Sequence, residues 1–194
     1  MNTAIRNIKV DHEVASDDFR GAMRHLAGGV SVITAGRGKD ITGMTVTSVS
    51  SLSVDPPSLV VSINRASSSW PLLKRHGFFG VNILTADQLD VAERFTGKDG
   101  LKGADRFTGA EWMTRASGVP LLVGALAAID CEVEETIERH SHAIIIGRVL
   151  DVEVSARSAA LAYWHGQYVA IDRDEDAIRL AMVSVPVSRG FRQG

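Results

Sequence analysis

Residues 43–69 run Gly43-Met44-Thr45-Val46-Thr47-Ser48-Val49-Ser50-Ser51-Leu52-Ser53-Val54-Asp55-Pro56-Pro57-Ser58-Leu59-Val60-Val61-Ser62-Ile63-Asn64-Arg65-Ala66-Ser67-Ser68-Ser69. Hydroxyl residues recur throughout, set among β-branched and apolar neighbours that a disordered Ser-rich linker lacks. Small hydroxyls on strand ends leave room for a flat ligand and can bond its polar edges and a phosphate. Residues 58–64 carry Leu-Val-Val-Ser-Ile, the pattern of a buried strand entered through the Pro56-Pro57 turn.

Working outward, 30–34 and 41–48 read as two strands joined by the turn Gly36-Arg37-Gly38-Lys39-Asp40. Upstream, Phe19, Ala22, Met23 and Leu26 keep the spacing of one apolar helix face, so a helix is expected over 17–26, with Ser16 as N-cap and Gly28-Gly29 as its stop. Downstream, 70–75 reads as a short helix with Pro71 in its first turn, and 78–84 as a strand. Thr85 and Gln88 have the spacing of a capping box for a helix over 86–95. The Gly- and charge-rich stretch 97–118 reads as an irregular excursion. In 127–135, Ile129, Cys131 and Val133 alternate with Asp130, Glu132 and Glu134. In 143–154, Ile144, Ile146, Leu150 and Val152 are expected to share one face. Residues 138–141 turn this pair into a hairpin, and 161–164 with 167–171 form another around His165-Gly166. A helix over 175–182 is expected in the charged tail.

Seven or more strands joined by short turns, without regular βαβ alternation, exclude a doubly wound parallel sheet. Closing an antiparallel sheet into a barrel removes its exposed edges. The expected fold class is therefore mainly β, an antiparallel barrel with peripheral helices. A single domain over 1–194 is expected, with a core at 17–172 and a tail at 173–194.

Composition narrows the function classes. The chain is 45% hydrophobic and 23% charged, as globular proteins are, and its net charge of −2 gives no reason to expect nucleic acid or a membrane as partner. No apolar run reaches the length of a membrane span, and the polar start does not look like a signal peptide, so a cytoplasmic protein is expected. The lone Cys131 excludes an intrachain disulfide and is most simply a core residue.

Gly36-x-Gly38 lacks the third glycine and the following helix of a dinucleotide fingerprint, and there is no P-loop. Ser67-Ser68-Ser69 ahead of Trp70-Pro71 places N–H groups and hydroxyls at a helix start, as either a plain cap or a phosphate cradle. Arg94 and Phe95 are a surface Arg and a core Phe, or a guanidinium and ring against a phosphorylated planar ligand. His140 and His142 share one side of a strand, but nothing completes a metal set; no metal is expected, and His142 alone at a pocket mouth is the functional alternative to a solvated loop histidine.

Taken together, these pieces resemble the flavin reductase-like proteins with an FMN-binding split barrel, the reductase components of two-component flavin monooxygenases. The resemblance spans 19–171 and rests on Phe19-Arg20-x-Ala22-Met23, Gly29-Val30-x-Val32-Ile33-Thr34, Gly43-Met44-Thr45, Ser48-x-x-Ser51-x-Ser53-x-x-Pro56-Pro57 and Asn64-Arg65-x-Ser67-x-Ser69-Trp70. It continues through Phe79-x-Val81-Asn82-Ile83-Leu84, Ala92-Glu93-Arg94-Phe95, His142-x-Ile144-Ile145-Ile146-Gly147-Arg148-Val149 and Tyr163-x-x-Gly166-x-Tyr168. Thr47 stands where many relatives carry Asn, and His140-Ser141 where many carry Gly-Asp.

The resemblance implies an antiparallel split β-barrel and a flavoprotein with NAD(P)H:flavin oxidoreductase activity, moving hydride from NADH or NADPH to FMN or FAD. Gly43, Met44, Thr45, Thr47 and Ser48 would line the flavin ring and ribityl chain, with Ser62 and Asn64 bordering it. Ser68 and Ser69 would hold the phosphate, and Arg94 with Phe95 would close that end. His142, with Tyr163 and Trp164, would face the nicotinamide, His142 orienting its carboxamide. A homodimer with flavin near the subunit interface, and a separate oxygenase component as partner, are also implied. Reduction of another acceptor such as a corrinoid, or non-catalytic flavin or haem binding, are the competing functions on this fold.

Overall fold

The run 30–35 has apolar and hydroxyl residues on both of its faces, the pattern of a strand covered from both sides. In the computed structural model, which describes residues 13–98, 100–156 and 159–172, Val30, Ser31, Val32, Ile33, Thr34 and Ala35 are all buried. The elements are α1 (Ser16–Met23), β1 (Gly28–Gly29), β2 (Ser31–Arg37), β3 (Asp40–Val46), β4 (Val49–Val54), β5 (Pro57–Asn64), α2 (Trp70–His76), β6 (Phe78–Ile83) and α3 (Leu89–Arg94). A 3-10 turn (Gly103–Phe107), β7 (Trp112–Thr114), β8 (Pro120–Leu122), β9 (Ala127–Arg139), β10 (His142–Val154), β11 (Ala160–Trp164) and β12 (Gln167–Ile171) follow.

Seven strands form one antiparallel sheet in the order β3-β2-β6-β9-β10-β5-β4. Its two edge strands, β3 and β4, are joined by only Thr47 and Ser48. Laid flat, the sheet would hold those edges about 29 Å apart across six strand spacings, and the link from Val46 to Val49 spans at most about 11 Å. The sheet therefore curls until the end of β3 reaches the start of β4, and the expected barrel forms. A side sheet, β1-β11-β12, splits off where β1 leaves the line of β2.

Two apolar clusters fill the structure. Ile33, Ala35, Val61, Ile63, Phe79, Val81, Cys131, Ala143 and Ile145 pack inside the curl, with Trp70 and Leu73 of α2 against them. Val30, Val32, Leu84, Val91, Ala92, Phe95, Phe107 and Leu122 form the second cluster, where α3 and the 3-10 turn pack outside β2. Close approach explains Gly147, since a Cβ there would lie 2.4 Å from the Phe79 ring.

Several expectations change. Residues 49–54, unassigned from sequence, form the edge strand β4, whose Ser-rich pattern hides a β-bulge between Ser51 and Ser53. Helix α1 begins at Ser16 behind Ala15 and ends at Met23. Its apolar residues Phe19 and Met23, with Leu26 beyond, are exposed instead of packed on the core. Helix α3 begins at Leu89, because Thr85 N–H donates to Gln88 Oε1 at 3.0 Å in a turn before the helix. The excursion after Gly97 holds the 3-10 turn and the β7–β8 hairpin. On β10 the core face is Ala143, Ile145 and Val149, while Ile144 and Val152 point outward; register shifts at Ile146/Gly147 and Val149/Asp151 break simple alternation. Asp130, expected on a polar face, is fully buried. Its face is covered by the loop into β8, where Ser117 N–H donates to Asp130 Oδ2 at 2.8 Å. The helix expected over 175–182 lies outside the described residues.

Cys131 sits in the core as expected. Burial, with the Asp130 charge as second cause, pushes its thiol up from 9.0 to about 12. The native chain thus holds this proton after the unfolded chain has released it. Stability contributed by the neutral thiol is present below pH 9 and is lost as pH rises from 9 towards about 12. Urea unfolding at pH 7 and pH 10 should show that loss in the parent chain and much less of it in Cys131→Ala. The native thiol should also resist iodoacetamide until the chain unfolds.

Candidate functional site

Because β3 is an edge strand, alternate backbone groups face away from β2 and need partners elsewhere. Thr45 N–H donates to Phe95 O at 3.2 Å, and Arg106 Nη1 donates to Gly43 O at 2.5 Å. The Thr45 hydroxyl donates to Ala92 O at 2.6 Å. These bonds hang the strand from α3 and the 3-10 turn and leave its end at the Thr47–Ser48 corner open.

Three hollows meet at that corner. One of about 320 Å³ is lined by Met44, Thr45, Val46, Thr47, Ser48, Ser62, Asn64 and His142. The second, about 450 Å³, shares Thr45–Thr47 and adds Val30, Glu93, Thr96, Lys98, Tyr163, Gly166 and Tyr168. The third, about 370 Å³, lies between Thr47, Gly28, Tyr163 and the exposed side of α1, with Phe19, Arg20, Met23, Arg24 and Leu26. Thr47 borders all three.

Local geometry shapes the first hollow. Ser48 Oγ donates to Ser62 O at 2.7 Å and pins the corner to β5. Asn64 Oδ1 accepts from Ala66 N–H at 2.9 Å, so its side chain organises the turn after β5. His142 opens β10 opposite Asn64, with Ser141 Oγ 2.8 Å from its Nδ1. Apart from this imidazole, the lining consists of neutral hydroxyl, amide and apolar groups, which suits a flat ring with polar edges. Lys98 in the adjoining hollow supplies a cation for an anionic group. Tyr168 keeps its phenol proton, its pKa raised by burial first and then by Glu93 and Tyr163, and so remains a donor at neutral pH.

The structure thus brings Met44, Thr45, Thr47, Ser48, Ser62, Asn64 and His142 together, with Tyr163 across the Thr45–Thr47 wall. Other expected site residues fall elsewhere. Gly43 lies against Phe95, where a Cβ would sit 2.7 Å from the ring. Phe95 is 1% exposed and packs edge-on to Phe107, so it serves the site only through its carbonyl bond to Thr45. Ser69 is 2% exposed, and its hydroxyl is 3.1 Å from Thr42 Oγ1, a core contact with no surface left for a phosphate. Ser68 is exposed and lines none of the three hollows. Arg94 is held by Asp90 at 3.6 Å and lies over Gly109. Trp164 turns away from Tyr163, donating from Nε1 to His25 O at 3.2 Å and stacking edge-on against His165. Glu93, Thr96, Lys98 and the α1 residues were not singled out from sequence, since nothing in their spacing distinguishes them from a solvated helix end. Among the described residues no group of three or more His, Cys, Asp or Glu could hold a metal ion, and no helix is long and apolar enough to cross a membrane.

Residues 23–172 match the flavin reductase like domain. The chain belongs to that family. The flavin reductase domain is 36% identical over 155 residues to an FMN reductase (NADH) of Stutzerimonas stutzeri, covering 80% of this chain and 88% of the relative. It is 38% identical over 161 residues to the reductase component of an FADH2-dependent resorcinol hydroxylase of a Rhizobium species, covering 81% and 88%. Among solved structures, the flavin reductase component of a bacterial two-component tryptophan halogenase aligns with a TM-score of 0.75 at 33% identity, over 81% of this chain and 99% of that one. The styrene monooxygenase flavin reductase of Pseudomonas putida S12 aligns with a TM-score of 0.70 at 32% identity, over 79% and 97%. The expectations of a split-barrel fold and of a flavin-reducing oxidoreductase are borne out.

Thr47 is exposed and borders every hollow, so Thr47→Leu should crowd the ligand without disturbing the core. Flavin affinity, read by quenching of flavin fluorescence, should fall about tenfold or more, while urea stability stays within about 0.5 kcal/mol of the parent.

Proposed function

We propose that this chain is an NADH-dependent flavin reductase that releases reduced FMN or FAD to a separate oxygenase. One observation carries the proposal: the Thr45–Thr47 wall is common to a neutral, hydroxyl-lined hollow and to a second hollow bearing a lysine and two tyrosines. Two flat nucleotides, one entering from each hollow, can stack ring on ring where the hollows join at the Thr47 corner. The NADH-using and FADH2-supplying relatives support the choice of hydride donor and of an oxygenase as recipient.

The nicotinamide and flavin rings supply the redox chemistry, with hydride passing from carbon C4 of one to nitrogen N5 of the other. The chain's residues align the two rings and exclude water. Met44–Ser48 present the edge of β3 to the flavin, Ser62 and Asn64 border it, and Lys98 takes an anionic group. His142, oriented through Ser141 Oγ, holds the nicotinamide carboxamide and moves no proton.

The active form is proposed to be a homodimer. The outward face of β10 and β5 is apolar at Ile144, Ile146 and Val60, with Leu52 of β4 exposed nearby. Ser62, which lines the first hollow, lies opposite Ile144 on this face, so a second copy seated there would border the flavin.

Purified protein should oxidise NADH when FMN or FAD is added and do so far more slowly without flavin. No oxidation with either flavin would refute the proposal. His142→Ala should lower kcat/KM for NADH by about tenfold or more with a smaller change in flavin affinity. The reverse pattern would remove the role given to His142. Light scattering should give twice the chain mass for the parent and the single-chain mass for Ile144→Asp, because a charge on that face leaves a dimer core with an unpaired carboxylate.

A further inference from the structure

Arg106 in the 3-10 turn is 8% exposed, and among the described residues no acid lies within ion-pair distance of it. Its donors go to backbone instead. Nη1 donates to Gly43 O at 2.5 Å and Nε to Leu101 O at 2.9 Å. The third nitrogen lies against Gly97: a Cβ there would be 3.0 Å from Nη2. Gly97 has φ +80 and sits between Thr96 and Lys98, both of which line the 450 Å³ hollow. Gly43 is two residues before Thr45, which lines the same hollow. One planar side chain therefore touches the backbone beside both lining segments. A surface arginine would have no reason to be buried here, and a purely packing residue would carry no charge.

We propose that Arg106 is a positioning residue for the flavin site, tying Gly43 of β3 to the backbone at Gly97 and Leu101 so that the Thr45–Thr47 and Thr96–Lys98 segments keep the spacing that the ligand needs. It rests on the flavin reductase function proposed above. The fork of Arg106 reaches two carbonyls at once, which a lysine ammonium at the same place cannot do with the same geometry. Thr45 ties the same edge of the strand to α3, through its bonds to Ala92 and Phe95. The two residues should therefore be coupled in ligand binding.

The test uses the full chain with Arg106→Lys, and with Arg106→Gln should the lysine variant not fold. Kd for FMN is read by fluorescence quenching, KM for NADH at saturating FMN, and the melting temperature alongside. The expected result is a Kd for FMN raised about tenfold with KM for NADH unchanged. In a double-mutant cycle, adding Thr45→Val to Arg106→Lys should weaken binding by no more than about threefold further, less than Thr45→Val does alone. A lowered melting temperature with an unchanged Kd would mark Arg106 as structural only and overturn the proposal. Additive effects of the two substitutions on Kd would overturn it as well. Failure of the parent chain itself to bind FMN would remove the underlying function, whereas a binding parent with an indifferent Arg106→Lys removes the positioning role alone.

Discussion

The link of two residues between the edge strands β3 and β4 governs this structure. A seven-stranded antiparallel sheet whose first and last members are chain neighbours cannot lie flat. It must curl, and the residues in the link are left at the seam where β3 ends and β4 begins. Thr47 and Ser48 occupy that seam, and Ser48 Oγ donates to the carbonyl of Ser62 on β5. A seam is where a barrel has the least regular pairing, hence where backbone groups and space remain for a ligand. The hollows gather there for that reason.

The cost of the seam is an edge strand with unmatched polar groups. In β3 these are satisfied from outside the sheet by the carbonyl of Phe95, the carbonyl of Ala92 and the guanidinium of Arg106. Among the described residues no further strand covers this side, and the helix and 3-10 turn that replace it bring Glu93, Thr96 and Lys98 to the rim. Burial lowers the Arg106 pKa from the ordinary arginine value, the expected sign for a cation moved out of water without an acidic partner. Asp130 of β9 is likewise buried and accepts from Ser117 N–H, organising the loop there. Both buried charges hold irregular chain against the sheet and neither belongs to the barrel core.

Some apolar surface finds no cover among the described residues. Phe19, Met23 and Leu26 stand exposed beside the third hollow, and Ile144, Leu52 and Val152 on the outer sheet face. Their spacing promised burial, and helical periodicity does predict which residues share a face. It says nothing about whether that face meets its own core, a second chain or a ligand.

Much of the fold was legible in order: the alternations, the turns at Gly38 and His165-Gly166, and the Pro71 helix start all appear where local chemistry places them. The hydroxyl-rich stretch marked a ligand site, and the family resemblance picked out Thr45, Thr47, Ser48, Ser62 and Asn64 within it. Strand β4 escaped notice since a bulge breaks its period, and the alternation of β10 did not say which of its faces meets the core. Ser69 and Phe95 looked like ligand residues by position, yet the core took them. By itself the sequence determined the strands, their turns and the chemical character of the binding stretch, all of which depend on neighbours within a few residues. Only the tertiary structure decided that Lys98, Tyr168 and Arg106 belong with Thr45, because that meeting depends on how the sheet curls, and closure is a property of the whole sheet.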